Sequence, residues 1–245
     1  MLIYGINPVI EALKAKRATL VRVSPRADER LTAVVRLAEE HGVPVRRVTA
    51  DELDRLAAGA RQRHQGVMAD VEGATSYSVE DLVIAARGAA LIVVLDGIED
   101  PQNLGAILRT VDAAGADGVV RQSRHAARLD GAAAKASAGA VAHVKIAEVV
   151  NIARALETLK DAGVWTVGLA GDAAKSYDEI DYTLPTALVV GAEGTGLRRL
   201  VRDRCDWLVS IPMRGQVQSL NVSVATGVAL FEAVRQRRVA RQTEG

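Results

Sequence analysis

The sequence predicts an α/β protein of two parts: a small sandwich of strands and helices, then a larger domain built on a mostly parallel sheet. Three observations carry that expectation. Strand-like and helix-like apolar spacings alternate through both halves of the 245-residue chain, as layered α/β domains require. Ala90 to Leu95 (ALIVVL) is a continuous apolar run, which suits a strand buried on both faces of a parallel sheet. Between the two series, Gly73 to Ser78 (GATSYS) is small and polar and marks a boundary. Residues 1–72 are expected as the first unit, 73–88 as a linker and 89–245 as the second unit.

Each element has its own local reason. Asn7 is expected to cap a helix that Pro8 opens, with Val9, Ile10 and Leu13 as its stripe. Thr19 to Ser24 alternates as a strand. A helix over 30–41 has its stripe at Leu31, Val34, Val35 and Ala38, and Gly42 ends it. Pro44 to Val48 reads as a strand, Asp51 to Ala58 as a helix after Thr49, and Gly66 to Val71 as a strand. In the second unit Asp100 caps a helix over 101–114 that Pro101 opens. Gly118 to Val120 is a short strand, and Val149 to Ala162 a helix. Val164 to Ala170, Ala187 to Val190 and Trp207 to Ile211 are strands. The last helix starts near Ser219 to Asn221 with a stripe at Val224, Val228, Phe231 and Val234. It ends in Arg235, Arg237, Arg238 and Arg241, a solvated helix end where cations suit the dipole.

Composition excludes several classes of function. The hydrophobic share of 49% is enough for a sizeable core, and the net charge of +1 leaves no global field to draw in nucleic acid. Any such binding must use local basic patches. Aromatics at 3% argue against a stacking platform for single strands. A lone cysteine, Cys205, forms no internal disulfide and belongs to no Cys/His cluster, so no metal is expected. The N-terminus lacks the marks of a signal peptide. The longest apolar run falls far short of the ~20 residues of a membrane helix. A cytoplasmic protein with no membrane partner is expected.

Three segments carry polar residues that their elements do not need. Within DGIEDPQNLGAILRTVDAAGA (96–116), Asn103 and Arg109 point from different faces of one helix. Arg109 sits among Ile107, Leu108 and Val111, so it should have a partner, either a structural carboxylate or a site. In VVGAEGTGL (189–197) a buried strand enters a turn with Gly191, Gly194 and Gly196, which permit positive φ and close approach of backbone to a ligand. The spacing is neither GxGxxG nor a phosphate loop, and Glu193 would repel a phosphate. In IPMRGQVQSLNVSVAT (211–226), Ser219, Asn221 and Ser223 cluster at a helix start. One of them can cap it, and three together suggest a lined site.

These segments resemble, in order, spacing and wording, the three motifs of the SpoU (TrmH) group of SPOUT methyltransferases. The resemblance spans about Leu91 to Arg238. YGINPVIEAL (4–13) and HQGVMADV (64–71) further resemble bacterial 23S ribosomal RNA guanosine-2′-O-methyltransferases, which carry an L30e-like N-terminal domain. The resemblance implies an RNA-binding L30e-like sandwich followed by an α/β knot, a deep trefoil knot that sequence physics alone would not predict. It implies a homodimer acting on RNA, not DNA, with an active site that uses both chains.

It also implies S-adenosylmethionine as cofactor, held largely by the backbone of Gly191, Ile211 and Leu220 with help from Val190, Met213 and Ala225. The implied reaction is attack of a ribose 2′-hydroxyl on the donor methyl group, with Asn103, Arg109, Glu193, Ser219 and Asn221 lining the site. A guanidinium is a poor base near neutral pH, so binding a phosphate or stabilising developing alkoxide is the easier role for Arg109. Arg61, Arg63 and His64 are candidates for RNA phosphates. Transfer RNA methylation and a non-catalytic RNA-binding role are the alternatives. The absence of GxGxxG argues against a dinucleotide-dependent dehydrogenase.

Overall fold

The computed structural model of the chain describes residues 2–25, 29–57, 64–71, 77–124, 126–127, 129 and 131–243. The first unit comprises β1 (Leu2–Tyr4), α1 (Ile6–Lys14), β2 (Ala18–Val23), α2 (Glu29–Glu40), β3 (Val45–Arg47), α3 (Ala50–Leu56) and β4 (Val67–Val71). Its sheet runs β1-β4-β2-β3, with β4 antiparallel to both neighbours and β2 parallel to β3. Strand alternation splits β4 between two layers. Val67 and Ala69 pack with Leu13 and Val34 beneath α1 and α2, while Met68 packs with Leu53 of α3. Thr49 caps α3 by accepting from Glu52 N at 3.2 Å, as its sequence suggests.

The cap of α1 differs from expectation. Gly5 holds the N-cap at φ +100°, and Gln65 Oε1 accepts from Ile6 N at 3.0 Å. Asn7 and Pro8 therefore lie inside the first turn, where Pro costs no hydrogen bond because the first amides are free anyway. The positive φ at Gly5 needs a residue without Cβ, and the partner of the Ile6 amide comes from 59 residues away.

The second unit comprises α4 (Val79–Ile84), β5 (Leu91–Asp96), α5 (Pro101–Ala114), β6 (Gly118–Gln122), α6 (Gly131–Ala136), β7 (Ile146–Val149), α7 (Ile152–Asp161), β8 (Trp165–Leu169), β9 (Lys175–Ser176), β10 (Thr186–Gly191), α8 (Arg199–Arg202), β11 (Trp207–Ser210) and α9 (Val222–Thr243). The strands run β7-β6-β5-β10-β8-β11-β9, and every pairing is parallel. In β5, Leu91, Val93 and Leu95 face the layer of α5 and α9, and Ile92 and Val94 face α4 and α7. Burial on both faces explains the unbroken apolar run. Asp100 caps α5 by accepting from Gln102 N at 3.0 Å and Asn103 N at 3.3 Å.

Four expectations change here. Residues 77–84 of the expected linker are structured: Ser78 and Asp81 form a capping box, and Val79 and Leu82 are buried against the second sheet. The stretch before α7 is the strand β7, and Asn151 rather than Val149 opens the helix by accepting from Arg154 N.

The core face of α9 is Val222, Thr226, Ala229, Leu230 and Ala233, whereas Val224 and Phe231 are exposed. Small residues win the inner face because α9 lies close on α5 and β10. Arg237 is not a solvated end. It is half-buried and donates to the carbonyls of Tyr182, Ala89, Ala90 and Leu184 at 2.8, 2.5, 2.9 and 3.0 Å.

The two units touch through β1, α1 and the turn after α1. Arg17 donates to the carbonyls of Val141 and Ala142 at 3.1 and 2.8 Å, and Glu11 lies 3.3 Å from His143. Among the described residues no helix is long and apolar enough to cross a membrane.

Candidate active site

Strands β5 and β10 end side by side, with Gly191 paired to Asp96. The carboxyl ends of parallel strands are where open α/β sheets place their ligands. After β10 the chain folds back on itself. Gly196 N donates to Ala192 O at 2.8 Å, and Gly194 and Gly196 adopt φ +80° and +67°. A Cβ on Gly191 would lie 2.1 Å from the carbonyl carbon of Gly196. The glycine at 191 is thus required first for the turn to close. Asp96 fixes the exit of that turn: its buried carboxylate accepts from Arg198 N at 2.8 Å and Arg198 Nε at 2.7 Å. Sequence reasoning missed both residues. A carboxylate ending an otherwise apolar strand was the available signal.

The turn forms one wall of a cavity of about 770 Å³. The loop after β8 (Leu169–Asp172), the segment from Val209 to Leu220 and the first turns of α9 form the others. All six residues expected at a cofactor, Val190, Gly191, Ile211, Met213, Leu220 and Ala225, line it together, as do Glu193 and Ser219. A smaller cavity of about 320 Å³ shares Ala192, Glu193, Thr195 and Val222 with it and adds Asn103 and Gly97 to Asp100.

A chain of side-chain hydrogen bonds runs between the two. Asn103 Nδ2 donates to Glu193 Oε2 at 3.2 Å, and Asn103 Oδ1 accepts from Asn221 Nδ2 at 2.9 Å. Asn221 Oδ1 accepts from Ser223 N at 2.9 Å and Ser223 Oγ at 2.6 Å. Asn221 therefore both caps α9 and orients Asn103. On the far wall Arg202 binds Asp172 through two hydrogen bonds, which hold the Asp172 carboxyl below its ordinary value.

The remaining candidates lie elsewhere. Arg109 is exposed, on the face of α5 turned away from the core. It lines neither cavity, and no hydrogen bond or ion pair among the described residues engages it, so the expected partner is not among those residues. His64 is buried: its Nδ1 accepts from Gly66 N at 3.0 Å and its Nε2 lies 3.3 Å from Asp54. That histidine ties α3 to β4, so it is not presented to a phosphate. Arg61 and Arg63 lie outside the described residues. Among the described residues no group of three or more His, Cys, Asp or Glu side chains is placed to hold a metal ion.

Fold and cavity define a small-molecule-binding α/β protein of the open parallel-sheet class, with its site at the strand ends. Residues 90–231 match the SpoU rRNA Methylase family, and residues 2–77 match the family described as RNA 2'-O ribose methyltransferase substrate binding. The chain belongs to the SpoU rRNA methylase family.

It is 44% identical over 98% of its length, and 98% of the relative's, to a 23S rRNA (guanosine-2'-O-)-methyltransferase of Pseudomonas putida. It is 46% identical, over 96% of each chain, to a protein of the same name from a Burkholderia species. Among solved structures, the SpoU methyltransferase AviRb of Streptomyces viridochromogenes, crystallised with the cofactor AdoMet, superposes with a TM-score of 0.81 at 27% identity. That match covers 98% of this chain and 91% of the other.

Proposed function

We propose that the protein transfers a methyl group from S-adenosylmethionine to the ribose 2′-hydroxyl of a guanosine in 23S ribosomal RNA. The observation that carries this reading is the meeting of Gly191, Ile211 and Leu220 on one cavity beside the Asn103–Glu193 contact. The names of the similar bacterial enzymes support the substrate.

The residues present fit the cofactor. The cavity volume of about 770 Å³ lies within the ~300–1,000 Å³ of small-molecule sites. Val190, Met213, Leu220 and Ala225 give apolar surface for a purine, and the backbone of the glycine turn gives polar edges. When bound, the cofactor supplies an electrophilic methyl group on a sulfonium.

The protein's own part is positioning and control of one proton. Asn103, held in place by Asn221, orients the acceptor hydroxyl at the smaller cavity. The Glu193 carboxylate, held by Asn103, faces both cavities and accepts the hydroxyl proton or a water that carries it. Ser219 lines the cofactor side.

Arg109 acts in the site of a second copy. Its exposed and unpaired state supports this, as does the apolar row Val224, Phe231 and Val239 left exposed along α9, which suits a homodimer seam. There its guanidinium steadies an RNA phosphate and the developing alkoxide. The segment from β10 to α9 forms the family's trefoil knot. Residues 1–72 form the RNA-binding unit, with Arg61 and Arg63 on phosphates, and the protein works in the cytoplasm on ribosomal RNA.

The test is to incubate the full-length protein with labelled S-adenosylmethionine and total RNA from cells lacking the modification, then map the label. Label on one guanosine ribose of the large-subunit RNA is expected. Label on a base, or on transfer RNA alone, overturns the proposal.

A further inference from the structure

The pair Asp172 and Arg202 has no part in the network described above, yet both side chains line the larger cavity. Asp172 follows β8 and Arg202 ends α8, so they approach from separate elements. Arg202 Nη1 donates to Asp172 Oδ1 at 2.8 Å and Nη2 to Oδ2 at 3.0 Å. Of the described residues on the wall, Arg202 is the one cation. The other charged side chains are Asp172 and Glu193, and Glu193 is held by Asn103. The rest of the wall is glycine, apolar side chains, or neutral amides and hydroxyls. The pair is also open to solvent, with side chains 36% and 71% exposed. An ion pair so exposed adds little to stability, so folding alone gives little reason for it.

The donor's chemistry matches this arrangement. Its adenosine part is neutral and suits the glycine turn and the apolar wall. Its amino-acid end is a zwitterion, one carboxylate and one ammonium on the same carbon. Resting on the methyl-donor reading above, we propose that Arg202 and Asp172 grip that end, Arg202 binding the carboxylate and Asp172 the ammonium. The two parallel N–H donors of a guanidinium match a carboxylate. When the zwitterion enters, each protein charge exchanges one partner for another of the same sign, so no charge is left unpaired. The site thus divides its labour: backbone and apolar surface read the adenosine, and an ion pair reads the tail.

Two ligands separate the tail from the rest. S-adenosylhomocysteine keeps the amino-acid end, and 5′-methylthioadenosine has the same adenosine without it. Calorimetric titration of the full-length protein should show a preference for the first. Arg202→Ala should cut that preference about 10- to 100-fold, the value of a hydrogen-bonded charge, and leave 5′-methylthioadenosine binding unchanged. Asp172→Ala should cut it less, and Arg202→Lys should keep part of it. Equal weakening of both ligands, or an unchanged preference in Arg202→Ala and Asp172→Ala, would mean the pair only braces two loops and would overturn the inference. If the unmodified protein binds neither ligand, the methyl-donor reading itself fails, and this inference with it.

Discussion

Asn103 and Glu193 meet at 3.2 Å although 90 residues separate them in sequence. One comes from the first turn of α5, the other from the glycine turn after β10, so the contact exists only when both strand ends are in register. Asn103 is buried, and both ends of its amide are engaged. Asn103→Ala should therefore lower kcat by about 100-fold, the order found when one positioned donor is lost from an active site. KM for the cofactor should hardly change, because Asn103 lines only the smaller cavity. Steady-state kinetics with RNA in excess check this, and a rise in cofactor KM with kcat intact would contradict it.

Arg109 is exposed and unpaired, so Arg109→Ala should leave the melting temperature of the protein nearly unchanged. Methylation should nonetheless be lost. Mixing inactive Arg109→Ala and Glu193→Ala protomers should restore about a quarter of full activity, since half of random dimers pair the two variants and each such dimer holds one intact site. A mixture as inactive as its components would place Arg109 in its own chain's site, and an active Arg109→Ala protein would place it outside the mechanism.

Gly191→Ala places a Cβ against the backbone of Gly196 at 2.1 Å. Backbone cannot swing away as a side chain can, so the turn must open. The expected outcome is a loss of about 1–3 kcal/mol from overpacking and cofactor affinity lowered more than about tenfold. Calorimetry and urea unfolding measure the two effects, and normal binding would show that the wall does not need the closed turn.

Arg237 joins α9 to four carbonyl groups near the amino-terminal ends of β5 and β10. Burial lowers the pKa of its guanidinium from the ordinary value, a cost the carbonyl contacts offset. Arg237→Ala should cost about 1–3 kcal/mol in urea unfolding, whereas Arg238→Ala should cost almost nothing.

Cys205 donates to Val201 O at 3.4 Å, and burial pushes its thiol up to about 12. Near pH 8 only about one thiol in ten thousand is then ionised, and the thiolate is the reactive form. Iodoacetamide should label the native protein very slowly and the urea-unfolded protein quickly. Fast labelling of the native state would show that the thiol is not buried.

What the sequence revealed divides along a physical line. Asp100 and Thr49 cap helices with their own side chains, so both caps are readable from a few neighbouring letters. The cap at Gly5 depends on Gln65, which no local pattern announces. Likewise the hydrophobic period of α9 points to Val224 and Phe231, but the helix turns Thr226, Ala229 and Ala233 inward. There close approach to α5 and β10 outweighs side-chain hydrophobicity. Strand β7 spans only Ile146–Val149, too short for a period-two signal beside a long helix. The residues of the larger cavity were legible only through their resemblance to family motifs. Composition gave no hint that Gly191, Ile211 and Leu220 converge, and Asp96, Arg198, Asp172 and Arg202 carried no motif at all.

Helix α9 spans 22 residues, about 33 Å at 1.5 Å per residue. Its early residue Ala225 walls the cavity, and its late residue Arg237 fastens the opposite, amino-terminal ends of β5 and β10. During synthesis β5 and β10 emerge well before this rod does. Until α9 docks, the folding chain presents a half-built basin with no lid of helix over it. Competence for the donor therefore waits on this rod, however early the strands themselves assemble.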